Sequence, residues 1–110
     1  MDRKTLKKNI RYICGDIAQE CIFATHYMPG VDYAQFNEIV LDTARLQSSA
    51  LRRVSVSFDK TPRDFESRNL YNKARREYYA KAYASLDNDF KKQLQSIVDR
   101  MNKALTAKKQ

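Results

Sequence analysis

From the first residues onward, Leu6, Ile10, Ile13, Ile17, Cys21, Ala24 and Met28 recur in steps of three and four, the spacing that lays one apolar stripe along a helix. Asp2 stands before them as an N-cap. Pro29 and Gly30 close the run, because proline disfavours helical geometry in the residue before it and glycine accepts the left-handed turn beyond a helix terminus. The pattern predicts a first helix of about 25 residues. Asp32 then caps a second, whose apolar side holds Phe36, Ile39, Val40, Thr43, Leu46, Ala50, Leu51, Val54 and Phe58, a face wide enough for two neighbours. Its last part, VSVSF, alternates like a strand. With no partner strand elsewhere its backbone groups would stay unpaired, so the helix is expected to run on to Phe58.

The turn DKTPRDFE carries the strongest local signal: Thr61 as N-cap, Pro62 at the first helical position, and Asp64 with Glu66 at the positive end of the helix dipole. A third helix is expected from there to about Ala84, where Ser85, Asp87, Asn88 and Asp89 offer a cluster of capping side chains. Phe90, Leu94, Ile97, Met101 and Leu105 form the stripe of a fourth, out of phase with the Tyr71, Ala74, Tyr78, Ala82 set. The expectation is one domain, residues 1–110, folded as an all-α, antiparallel up-down-up-down four-helix bundle. The alternative is three helices, the last a single long rod to the C-terminus.

Composition supports the all-α class, since only two Gly and two Pro leave little material for the turns of a many-stranded sheet. No apolar run is long enough to span a bilayer, and the opening MDRKTLKKNIRY lacks the apolar segment of a signal peptide. A cytoplasmic protein without a membrane partner is expected. Cys14 and Cys21, seven apart on one face, stand about 10.5 Å apart along a helix axis, too far for a disulfide. They are expected as buried, reduced thiols. A single histidine, His26, and no CxxC or Glu-x-x-His spacing argue against a metal site; the two glycines, fifteen apart, form no phosphate loop. No catalytic constellation and no cofactor are expected; His26 at a helix C-terminus suits the dipole.

The stretch NLYNKARREYYAKAY concentrates tyrosines and cations on the third helix. Tyr71 and Tyr78 share a face and are expected to stack inside, whereas Arg76, Tyr79 and Tyr83 are expected at a boundary, free for a partner protein or a base. The net charge is +8. In a four-helix bundle one pole would gather both chain termini and the middle connection, pooling nearly the whole excess there. Lys7, Lys8, Arg52, Arg53, Arg63, Lys103 and Lys108 are the candidate contacts to nucleic acid or another polyanion, including an acidic protein. Helix dipoles explain cations at helix ends but not Arg3, Lys4, Lys7 and Lys8 at a helix start. The second reading is a protein-interaction or self-associating bundle using Arg76, Tyr79 and Tyr83, with any homo-oligomer formed through the sides or the non-basic end.

Overall fold

The computed structural model describes residues 2–107, and three α-helices account for most of them: α1, Arg3–Tyr27; α2, Tyr33–Val54; and α3, Arg68–Ala107. The first two begin where the sequence places them. Asp2 accepts the Thr5 N–H at 2.7 Å and Asp32 accepts the Gln35 N–H at 3.2 Å, each satisfying one of the orphan donors of a first turn. Gly30 makes the intervening turn with φ of 79°, the left-handed region in which a Cβ is strained.

α1 and α2 form an antiparallel hairpin, and α3 returns antiparallel along α2. The register is fixed by contacts at two levels: Arg53 reaches Asp89 and Ser85 (3.0 and 3.1 Å), and Asp42 meets Arg100 at 2.7 Å. α2 is the central element, packing closely along α1 and α3, which approach each other at few points. One core runs through the three, from Ile10, Cys14, Ile17, Cys21 and Ala24 to Phe36, Ile39, Leu46, Ala50 and Val54 to Leu86, Phe90, Ile97, Met101 and Ala104. Thr43 is buried among them, its hydroxyl donating to the Ile39 carbonyl. Both cysteines are free and buried, and burial pushes their thiol pKa values up.

The four-helix bundle is not what the chain builds. Residues 68–107 are one unbroken helix of 40 residues, as in the three-helix alternative. The would-be caps face sideways instead: Ser85 and Asp89 bind Arg53 of α2, and Asp87 pairs with Lys91 at 3.0 Å one turn on. With no Gly or Pro after Pro62, only weak helix propensities of about 0.5 kcal/mol per residue oppose continuity here. Bonds to a neighbouring helix outweigh that.

At 1.5 Å per residue α3 is about 60 Å long, and the molecule measures 67 × 19 × 19 Å. Its radius of gyration is 19.1 Å, against about 13 Å for a compact chain of this length. The excess is an arm, residues 68–82, which overshoots the hairpin. From Ser55 to Ser85 no residue is fully buried. The arm is covered on one side by the connection from α2. That helix stops at Val54, four residues short of Phe58, and the strand-like residues after it run outward along the arm. Thr61 and Asp64 do form a capping box, but around a 3₁₀ turn, Pro62–Asp64, that breaks at Phe65. α3 starts instead at Arg68, after Ser67, whose hydroxyl accepts the Leu70 N–H.

Phe58 explains the break. Its ring is the hub of a small aromatic cluster, with centroids 5.4 Å from Tyr78, 5.8 Å from Tyr71 and 6.4 Å from Phe65. Tyr71 and Tyr78 therefore do stack within the protein, against the connection rather than in the main core.

Candidate functional site

Arg3, the first residue of α1, lies against the inner end of the arm. Its Nε donates to the Tyr83 hydroxyl (3.1 Å), its Nη2 donates to the Val56 carbonyl (2.8 Å), and its guanidinium carbon sits 5.2 Å from the centre of the Tyr79 ring. The Tyr83 hydroxyl in turn donates to the Val54 carbonyl, at the C-terminus of α2. The Tyr79 hydroxyl accepts the Phe58 N–H at 3.1 Å. Two tyrosines, stacked with centroids 5.9 Å apart, thus tie together the start of α1, the end of α2, the connection and α3. The Tyr83 hydroxyl favours the charged form of Arg3, and the Phe58 N–H, assisted by Arg3, holds the Tyr79 phenol below its ordinary pKa.

This departs from the expectation that Tyr79 and Tyr83 stand free. Both are half-buried and hydrogen-bonded. The signal was present: at 100° per residue they share the angular position of Leu86, Phe90, Ile97 and Met101, about a third of a turn from Tyr71 and Tyr78. They are the outermost layer of the core stripe. Beyond them, where α1 and α2 no longer cover α3, the same stripe continues along the arm as Arg76, Arg75, Asn72 and Arg68, all exposed.

The long rod redistributes the charge expected at one pole. Lys103 lies toward the opposite end of the molecule, beyond Arg100, which pairs with Asp42 near the middle of α2; Lys108 falls outside the described residues. Arg53 is engaged in holding α2 to α3. Lys7, Lys8 and Arg52 remain at the end of the hairpin beside the arm, and Arg63 lies in the 3₁₀ turn that packs on the arm. In exchange the arm brings Arg68, Lys73, Arg75, Arg76 and Lys81 to this end. Residues 2–11 and 52–83 hold fourteen basic and five acidic side chains, a net +9; the other described residues hold five basic and eight acidic, a net −3. Charge separation survives with a partly different membership, because the meeting of the α1 start with the α2 end does not depend on whether α3 is broken.

The opposite face of α1 differs in character. Tyr12, Ile22, Phe23 and Tyr27 are exposed there, with Phe23 and Tyr27 rings 4.7 Å apart, and Asp16 and Glu20 lie beside them. His26 is exposed on the same face. Among the described residues there is no group of three His, Cys, Asp or Glu side chains that could hold a metal ion, and no helix long and apolar enough to cross a membrane. Comparison with known proteins gives no match: no family model fits the chain, and no curated protein and no solved structure resembles it.

Proposed function

We propose that this chain is a non-enzymatic binding protein that engages a polyanion, nucleic acid in the first place, through its basic arm and the adjoining end of the helical hairpin. The observation that carries the reading is the net +9 over residues 2–11 and 52–83 against a net −3 over the rest of the described chain. Nothing in helix energetics calls for Arg3, Lys4, Lys7 and Lys8 in the first two turns of α1, where the dipole opposes them. The arm adds a stiff basic ledge about 22 Å long, matching the reach of several phosphates at about 3.4 Å per nucleotide on one strand. Lys7, Lys8, Arg52, Arg63, Arg75 and Arg76 are the contacts, and recognition is of the backbone, with little sequence preference.

The test is titration with short RNA and DNA oligonucleotides at about 50 and about 200 mM salt; with roughly six phosphate contacts, affinity falls roughly 300- to 2000-fold between them. Binding that ignores salt, or no binding at the lower salt, refutes the proposal. An acidic polypeptide of equal charge serves as the control: capture of it in preference to both nucleic acids would replace the nucleic-acid reading with an acidic protein partner.

A further inference from the structure

At the corner between the arm and the end of the hairpin lies an open cleft of about 340 Å³, lined by Asp2, Arg3, Ser57, Arg75, Tyr79 and Tyr83. Two guanidinium groups converge on one ring here, the carbon of Arg3 at 5.2 Å and that of Arg75 at 5.3 Å from the Tyr79 centroid. Among the described residues neither has a carboxylate partner: the ion pairs are those of Arg45, Arg53, Lys91 and Arg100. Asp2 is the one acid in the cleft, and its Oδ1 is committed to the Thr5 N–H.

The unused hydrogen-bonding capacity is almost all of one kind. Arg3 donates through two of its nitrogens, to Tyr83 and Val56, and keeps further N–H groups of its five. Arg75 donates to none of the described residues and rests only on the Tyr79 face. The Tyr79 hydroxyl, having accepted from Phe58, retains a proton to give, as does Ser57. These donors come from three different segments: the start of α1, the connection and the arm. A carboxylate offers its acceptor sites in one plane, whereas a tetrahedral oxyanion presents acceptor oxygens in three dimensions.

We propose that this cleft is a phosphate-binding site, the anchoring point at which the polyanion engages the protein, with Arg3 and Arg75 as its charged ligands and Ser57 and Tyr79 as hydroxyl donors. It rests on the polyanion reading above and gives that reading a centre. A bound phosphate also bridges α1 to the arm.

The probe is inorganic pyrophosphate, titrated at constant ionic strength and followed by amide chemical shifts. The expected response is centred on Ser57, Phe58, Arg75 and Tyr79. Arg75→Gln, which removes no hydrogen bond or ion pair among the described residues, is expected to lower the melting temperature by no more than a few degrees and to weaken pyrophosphate about tenfold. Lys73→Gln, an equal charge loss elsewhere on the arm, is expected to change it less than about twofold. Shifts spread evenly over all basic segments, equal effects of the two substitutions, or no binding overturn the site. Oligonucleotide titrations run on the same proteins separate the two proposals. Pyrophosphate binding without oligonucleotide binding keeps the site and removes the nucleic-acid reading; salt-dependent oligonucleotide binding without pyrophosphate binding does the reverse.

Discussion

Phe58→Ala isolates what holds the arm. The Phe58 ring makes three aromatic contacts, with Phe65, Tyr71 and Tyr78, and lies half-buried outside the main core. Truncating a fully buried Phe costs about 3–5 kcal/mol; at half burial, and with part of the pair energies of about 0.5–1.5 kcal/mol each already inside that figure, the loss is about 2 kcal/mol. A helix of about 15 residues is marginal by itself, so the loss falls on the arm and not on the core. Hydrogen exchange read by mass spectrometry should show arm amides of residues 68–78 exchanging roughly 30-fold faster, since about 1.4 kcal/mol is a factor of ten. Amides of α1, α2 and residues 90–104 should keep their protection, and the melting temperature should change little. Unchanged arm protection, or a rise spread evenly over all three helices, would refute the idea that Phe58 secures a separately fraying arm.

Continuity of α3 is tested by Asn88→Pro: inside an unbroken helix proline costs about 3 kcal/mol or more, a fall in melting temperature of about 10–20 °C, whereas a near-neutral result would mean that a helix starts there. Asp42 is held below the ordinary carboxylate pKa chiefly by Arg100, then by Arg45; a depressed folded value means that its stabilisation is present above about pH 4 and is lost as pH falls through the folded value. Asp42→Asn should therefore flatten the acid limb of the stability-pH curve while costing stability at neutral pH, and an unaltered acid limb would count against that pairing. Cys14 and Cys21 are 1% and 0% exposed, so a thiol reagent at about pH 8 should label neither until urea unfolds the chain, when both react together; fast labelling of the folded protein would contradict their burial.

The two hairpin helices were legible along the chain because their signals are local. Asp2 and Asp32 cap within three residues, Pro29 and Gly30 act on their own backbone, and the three-four spacing of Ile10 to Ala24 and Phe36 to Val54 marks a face whatever covers it. Likewise the concentration of cations at the start of α1 and the end of α2 required only that these helices be antiparallel. Three matters were settled by tertiary contacts. Ser85 and Asp89 can cap a helix or bind a neighbour with the same oxygens, and the arrival of Arg53 from α2 decides which. VSVSF suits several conformations until Phe58 and Phe65 find Tyr71 and Tyr78. Tyr79, Tyr83 and Arg75 lie near one another on any helix, but only the packing of the α1 start brings Arg3 to them and makes a cleft. Periodicity records which side of a helix is apolar; it carries no information on which partner, over what length, will cover it.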